Sequence, residues 1–490
     1  MNQRLHAHQR EELADLAVIA MRERGLEPEF SAAVKRQLDD IDGPSEEDGA
    51  GIVDLTGLLW CSIDNDDSRD LDQLTVSEVL QDGSVRIMVA IADVDTLVGK
   101  DSPIDRHAQI NTTSVYTSAR IFPMLPEQLS TDYTSLNPNQ VRVATVTEMV
   151  FQPDGTLARS TIRRAHVHNK AQLAYDAVSA WLTGDGPLPE AADRVPGMDQ
   201  QLRTQDSVAQ QLRANRREQG ALDFQTFQPK AEFEDDKVVA IRQQEQNRAR
   251  QIIEEFMVAT NGVTARFLAG KRRPSIRRVV RSPERWARIV QVAAEYGETL
   301  PPDPSSTALE QFLARQRRRD PLRFPDLSLV IVKLMGRGEY VVERPGGPQI
   351  GHFGLAVRDY SHSTAPNRRY PDLITSRLIK AALAEVKSPY SHTELEFLAN
   401  HCTRQEDAAN KVERQMRKSE AAMLLESRIG EQFDGVVTGE SKGNTWVRIF
   451  EPPAEGKLLP SRDVQVGDKV RARLLSTNVE RGFIDFEQVD

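Results

Sequence analysis

The sequence predicts an α+β protein in three parts: a small helical N-terminal unit, a mixed strand-and-helix body and a small C-terminal β-barrel. Three observations predict it. Apolar residues between positions 10 and 41 recur at helical spacing, strand-like runs begin at Ile52, and the last ~60 residues are short strands separated by glycine turns. At 490 residues the chain has the length of about two to four domains, so core size is no constraint.

Leu13, Leu16, Ala17, Ile19 and Ala20 form one helical stripe that Gly25 ends, and Ala32, Val34 and Leu38 form a second. Such a pair would make either a helix-turn-helix-like unit or a docking arm for the next domain. Asp42 to Gly51 reads as a linker by composition. Strands are predicted at Leu58–Ile63, Val85–Val94, Val141–Phe151 and Ile162–Val167. Helical patterns then alternate with coil from Ala171 to about Ile429. The final strands fall at Phe433–Thr438, Thr445–Phe450, Lys469–Leu475 and Phe483–Phe486, a spacing that suggests a small barrel. The resulting boundaries are 1–50, 51–428 and 429–490.

Composition excludes several classes. No apolar run approaches the ~18 residues of a membrane span, and the start has no apolar signal core. Two cysteines, Cys61 and Cys402, rule out a disulfide framework and fit a reducing cytoplasm. The net charge of -10 argues mildly against nucleic acid as a partner. Its distribution weakens that argument, because bases crowd at Lys271–Arg281 and Arg315–Arg323. Each run would either line a phosphate path or form a solvated face.

The most informative stretch is Ser62 to Leu74, SIDNDDSRDLDQL, which holds Asp64, Asp66, Asp67, Asp70 and Asp72 directly after a buried strand. Carboxylates this close repel one another unless a cation sits among them. Asp70 and Asp72, two apart, face the same way on an extended segment. Hard oxygen donors of this kind suit Mg²⁺ or Mn²⁺ with a substrate phosphate completing the shell. A solvated acidic loop is the plain alternative, and an EF-hand loop lacks its glycine and distal glutamate here.

This stretch resembles the fingerprint of the ribonuclease II (RNB) exoribonucleases, T-I-D, five residues, D-x-D-D. Three of the four family aspartates match, as Asp64, Asp70 and Asp72. The fourth position is Gln73, whose carbonyl can still coordinate but which removes one negative charge. The resemblance extends to VAIADVD (Val89–Asp95), with Asp93 pointing inward, and to IFPMLPEQLS (Ile121–Ser130). It continues through IEEFMVATN (Ile253–Asn261), HFGL (His352–Leu355), YSHSTAPNRRYPDLITSR (Tyr360–Arg377) and VERQ (Val412–Gln415). The tail from about Ile429 resembles the S1 RNA-binding domain, an OB-fold barrel. Together the match covers about 430 residues. Family members usually carry two cold-shock-type domains before the catalytic block, and the ~50 helical residues here cannot hold even one.

The resemblance implies an RNB catalytic domain, a mixed sheet or barrel surrounded by helices, that hydrolyses RNA processively from its 3′ end to nucleoside 5′-monophosphates. Asp64, Asp70, Asp72 and Gln73 would hold Mg²⁺ (or Mn²⁺), with Asp72 indispensable, and Arg414 would be the catalytic arginine. Tyr116 and Phe224 would stack on bases. Glu255 would contact the 2′-hydroxyl, and Arg368 and Arg369 would line the channel with Asp372. Trp446 and Phe450 would stack on RNA from the barrel or pack in its core. His352 and His362 read as structural histidines, and Cys61 as a buried apolar residue. The expected partner is single-stranded RNA, or structured RNA with a 3′ overhang admitted by a more open entry, acted on by a cytoplasmic monomer with no membrane association. Two rival readings remain: an RNB-like protein that binds RNA without cutting it, because Gln73 weakens the metal site, and a different metal phosphoesterase.

Overall fold

The computed structural model describes residues 9–489 apart from residues 50, 225–228, 244–245, 322, 348–349, 442, 460–463 and 465–467. The first eight residues, read above for a signal core, lie outside the described residues.

Helix α1 (Gln9–Glu23) and helix α2 (Ala32–Asp39, capped by the Ser31 hydroxyl) open the chain. They do not form a helix-turn-helix unit. The stripe Leu13, Ala17, Ala20 and Met21 of α1 is buried against Val412 and Met416, whereas α2 packs on helix α3 (Pro103–Asn111). Each apolar stripe is narrow, so each helix finds its partner in the body.

The body centres on a seven-stranded sheet of β1 (Ile52–Asp54), β2 (Cys61–Asp64), β3 (Gln73–Val79), β4 (Val85–Ala92), β7 (Val141–Phe151), β8 (Leu157–His168) and β9 (Ala171–Ala174). A short ribbon, β5 (Val115–Tyr116) and β6 (Ile121–Phe122), lies between β4 and β7 in sequence. The strand order is β1-β8-β7-β4-β3-β2-β9, with β1 parallel to β8, β2 parallel to β9 and the other pairs antiparallel. Ile87, Val89, Ala144 and Val146 bury one large core with residues from the later helices.

Helices α4 (Tyr175–Thr183), α5 (Glu190–Asp193) and α6 (Met198–Glu218) lead to a hairpin, β10 (Pro229–Glu234) and β11 (Lys237–Gln243). Helix α7 (Arg248–Gly270) and strand β12 (Ser275–Val279) follow. A separate apolar cluster joins α8 (Trp286–Glu295), α9 (Ser306–Arg319) and α10 (Phe324–Met335). Strand β13 (Glu339–Glu343) pairs with β12, and α11 (Tyr370–Leu383) leads to the 34-residue α12 (His392–Leu425), which a Ser391/Glu394 capping box starts. Strands β9 to β13 were not legible as strands, because they are set among helices.

Strands β14 (Gln432–Ser441), β15 (Asn444–Ile449), β16 (Ala454–Leu458), β17 (Lys469–Asn478) and β18 (Phe483–Val489) close a barrel in the order β14-β15-β16-β18-β17. Gly456 is required there, since a Cβ would lie 2.5 Å from the Ile484 carbonyl oxygen. No helix among the described residues is long and apolar enough to cross a membrane.

Candidate active site

The acidic loop leaves the end of β2 and returns into β3, so it crosses one end of two adjacent strands. Ser135 pins it: its hydroxyl accepts from the Leu71 amide and donates to the Arg69 carbonyl, both at 2.9 Å. The Ala92 amide donates to the Asp72 carbonyl, which seats the end of the loop on β4. Asp64 accepts from the Asn65 amide at 2.7 Å and the Ser68 hydroxyl at 2.9 Å. These fixed donors hold the loop so that Asp64, Asp70 and Asp72 converge.

A second loop completes the site from 295 residues away in sequence. Asp372, in the first turn of α11, is fully buried and accepts from the amides of Thr364 and Ala365 and from Arg369. Asn261 on α7 accepts from the Ser363 amide and hydroxyl, both at 2.9 Å. Folded this way, the loop presents the Asn367 amide and the Arg368 guanidinium to Asp72, at 2.9 and 3.2 Å. From the ribbon, the Tyr116 hydroxyl donates to Asp70 at 3.2 Å, while its amide donates to Glu413 on α12.

Burial dominates the electrostatics. It pushes the Asp72 carboxyl up to about 7; Arg368 opposes this and Asp70 adds to it. Asp70 is also raised, first by burial, against the pull of Arg368. One guanidinium therefore faces a pair of desolvated carboxylates, and Asp64 adds a third acid. That donor set fits a hard divalent cation. Among the described residues no group of three His, Cys, Asp or Glu side chains is placed to hold a metal ion by itself. The carboxylates would thus supply one side of a shell, with water and phosphate oxygens on the other.

The predicted residues divide into those the fold brings together and those it does not. Asp64, Asp70, Asp72, Tyr116 and Arg368 share the site. Gln73 is buried beside them, but its amide nitrogen lies 3.4 Å from Asp64, a weak tie through the NH₂ end rather than a carbonyl aimed at the cluster. Arg414 is exposed on α12, one residue beyond Glu413, and forms no hydrogen bond or ion pair among the described residues. The arginine at the carboxylates is Arg368. Arg369 and Asp372 form an ion pair at 2.7 Å that builds the loop instead of lining a channel. Glu255 is a further correction: it is 1% exposed and held bidentately by Arg216, at 2.5 and 2.7 Å. Its half-exposed neighbour Glu254 shares a helical stripe with Arg250, which donates to Asn65 beside Asp64.

Phe224 packs on the apolar cluster of α8, α9 and α10, without ring contact to Tyr116 among the described residues. Trp446 is half-buried under the Lys418 ammonium, 5.5 Å from its ring, and Phe450 is exposed. Asp93 sits in a buried ion network with Arg164 and Lys380, away from the cluster. His362 accepts or donates at the Tyr340 hydroxyl, His352 accepts from the Leu355 amide, and burial pushes the Cys61 thiol up to about 12. In the basic runs, Arg277, Arg278, Arg281, Arg315 and Arg317 are committed to Glu343, Glu406, Glu339, Glu298 and Asp223.

Sequence reasoning missed Tyr175, Asn65 and Arg250. Tyr175 follows β9, whose Ala174 pairs with Asp64, and the Arg250 guanidinium lies 4.3 Å above its ring. Recognising Ala171–Ala174 as a strand parallel to β2 was the signal that would have found it.

Residues 52–385 match the RNB domain family model, and residues 431–489 match that of the RNase II-type exonuclease C-terminal S1 domain. Ribonuclease R of Vibrio parahaemolyticus is 29% identical over 517 residues, covering 96% of this chain and 60% of that protein. For Ribonuclease R of Escherichia coli the figures are 29% over 514 residues, 96% and 62%. For that of Aquifex aeolicus they are 30% over 475 residues, 89% and 65%. The chain thus spans less than two thirds of the length of these relatives. The apo form of Mycoplasma genitalium RNase R has the same fold, with a TM-score of 0.88 at 22% identity, covering 98% of this chain and 78% of that one. Its complexes with ribose-methylated single-stranded RNA and with double-stranded RNA give 0.88 and 0.86. Yeast Ssd1, a pseudonuclease, shares the fold with a TM-score of 0.68 at 16% identity, covering 87% of this chain and 53% of that one. With the RNB domain matched over more than half its length, the chain belongs to the RNB family.

Proposed function

We propose that this chain is a 3′→5′ exoribonuclease that hydrolyses RNA processively to nucleoside 5′-monophosphates with Mg²⁺, or Mn²⁺ in its place. The observation that carries the reading is the convergence of Asp64, Asp70 and Asp72 on one end of the sheet, with Arg368 delivered to Asp72 from a distant loop. Carboxylates that strain against one another are a site built for a cation, and a divalent ion there would supply Lewis acidity at the scissile phosphate.

The chain's own residues do the rest. Asp72 holds Arg368 in place at 3.2 Å, and the partly exposed guanidinium can donate to a phosphate oxygen as charge builds. Tyr116, 38% exposed and anchored at both its amide and its hydroxyl, offers a ring edge to a terminal nucleotide. Glu254 is the candidate for contact with a ribose hydroxyl, because it reaches the open side of α7. Trp446 and Lys418 form an aromatic and cationic pair that suits RNA approaching between the barrel and α12. The substrate is single-stranded RNA or structured RNA with a 3′ overhang, and the protein acts as a cytoplasmic monomer.

A 5′-labelled single-stranded RNA tests this, incubated with Mg²⁺, with EDTA, and with Asp72→Asn. Expected is a short labelled end product without intermediate lengths, with metal and wild-type protein alone. One observation favours a second reading, RNA binding without cleavage: the family's fourth carboxylate is the amide of Gln73, tied to Asp64. Intact RNA in every lane, with equal binding by wild type and variant, would establish that reading instead.

A further inference from the structure

Helix α7 has two working faces. Arg250, Glu254 and Asn261 lie on the stripe toward the carboxylates and the Ser363 loop. Glu255, Val258, Gly262 and Arg266, spaced three or four apart, lie on another stripe. This second stripe walls a cavity of about 410 Å³ that the candidate active site does not use. The turn between β7 and β8, the end of α6 and the segment Ala356–Asp359 form its other sides.

The lining is chemically divided. Leu157, Leu212 and Val258 make an apolar wall. The floor is the ion pair of Arg216 with Glu255, the latter 1% exposed. Arg266 and Arg358 also line the cavity, are solvent-exposed, and form no hydrogen bond or ion pair among the described residues. Asp359 lies near Arg266, which leaves the lining one positive charge in excess. A cavity of this size holds a small ligand with an apolar body and an anionic end. Its buried, hydrogen-bonded floor can read polar edges, and its two open guanidiniums suit a phosphate.

We propose that this cavity binds a nucleoside 5′-monophosphate, with the base against the apolar wall and the phosphate on Arg266 and Arg358. The proposal rests on the exoribonuclease reading, which makes that compound the reaction product. Occupancy has a route to the substrate side: Arg216 holds Glu255 at the cavity and lies 3.4 Å from Glu254 on the adjoining stripe. A ligand that draws on Glu255 would redistribute Arg216 between the two acids and change the charge that Glu254 presents to RNA. The site would therefore act as a product sensor.

Titration calorimetry of the full chain in EDTA tests this, with AMP, adenosine and inorganic phosphate as separate probes. Expected is one AMP site, with adenosine and phosphate each bound at least about tenfold more weakly. Arg358→Glu and Arg266→Gln should each weaken AMP by about tenfold while leaving thermal melting and RNA hydrolysis without added AMP unchanged. Arg368→Ala should leave AMP binding intact. In digestion assays, AMP should slow wild type in a way that saturating RNA does not relieve, and the Arg358→Glu enzyme should escape. Equal AMP binding by wild type and both rim variants, or none below about 1 mM in an enzyme that still digests RNA, would overturn the site. Rim-dependent AMP binding in a protein that hydrolyses no RNA would instead keep the site and remove the exoribonuclease reading.

Discussion

At position 73 an amide stands beside three carboxylates, and its effect on the metal is measurable. Restoring a charge with Gln73→Asp adds a hard donor where Asp64 is now tied by the Gln73 amide. The Mg²⁺ concentration for half-maximal RNA hydrolysis should fall by about tenfold, corresponding to about 1.4 kcal/mol. An unchanged midpoint would mean that position 73 does not face the ion. A second residue carries a pH signature. Glu420, 1% exposed, accepts from the Ser118 amide and hydroxyl, and burial lifts its carboxyl from the usual 4.5 to about 7. Its folded-state pKa lies above its unfolded one, so the folded chain holds the extra proton. Its contribution to stability is complete below pH 4.5 and is lost as pH rises through about 7. Glu420→Gln keeps the side chain neutral. Above pH 7 it should stabilise the protein by about 3 kcal/mol, less about 1 kcal/mol for a weakened acceptor. Melting curves at pH 5 and pH 8 check this: the variant's advantage should appear at pH 8 and shrink at pH 5.

Elements position these residues through a few backbone details. Gly220, at φ +95°, turns the chain out of α6, and a Cβ there would lie 2.6 Å from the Thr307 amide nitrogen. Gly220→Ala should therefore cost about 2 kcal/mol or more, read as a lower denaturation midpoint. It should also disturb Asp223, to which Arg213 and Arg317 are paired. A melting midpoint equal to wild type would show that α9 yields without cost. On the helices, alternate faces separate function from packing. Glu254 and Glu255 are adjacent in sequence, yet one reaches the open side while the other is sealed beneath Arg216. The IEEFMVATN segment was recognisable as a helix, but which acid stays half-exposed depends on where α6 lies.

At the scale of the whole molecule, a buried ion pair ties the barrel to the helical cluster: Arg448 on β15 with Asp326 at the start of α10, 2.8 Å apart. Helix α12, about 50 Å long at 1.5 Å per residue, links the barrel to the body. The pair and the helix together bound the space where Trp446 meets Lys418. Arg448→Met leaves the Asp326 carboxylate with only the weaker pull of Arg323 and should destabilise the barrel docking by about 3 kcal/mol. Limited proteolysis should then release the C-terminal barrel sooner and RNA affinity should drop. Adding Asp326→Leu should restore protection. If the single variant is cut no faster, the apolar contacts with α12 and Ile241 hold the barrel without the pair.

The sequence by itself determined the α+β class, the strands Val85–Ala92 and Val141–Phe151, the terminal barrel and the acidic loop, because each is written in local periodicity or in a contiguous motif. Asp64, Asp70 and Asp72 were legible because one loop carries all three. Tertiary structure alone decided the rest. Strand β3 was hidden because its buried start carries Gln73 and Thr75, polar residues that a hydrophobic pattern skips. Which arginine meets the carboxylates depended on Asp372 folding a loop that puts Arg368, 296 residues downstream, on Asp72 and leaves Arg414 on the surface. Whether α1 and α2 pair with each other depended on the apolar surface of α12, which offered α1 a wider partner than α2 could. Local sequence encodes which face of an element is apolar; what that face meets is settled when distant segments compete for the same buried area.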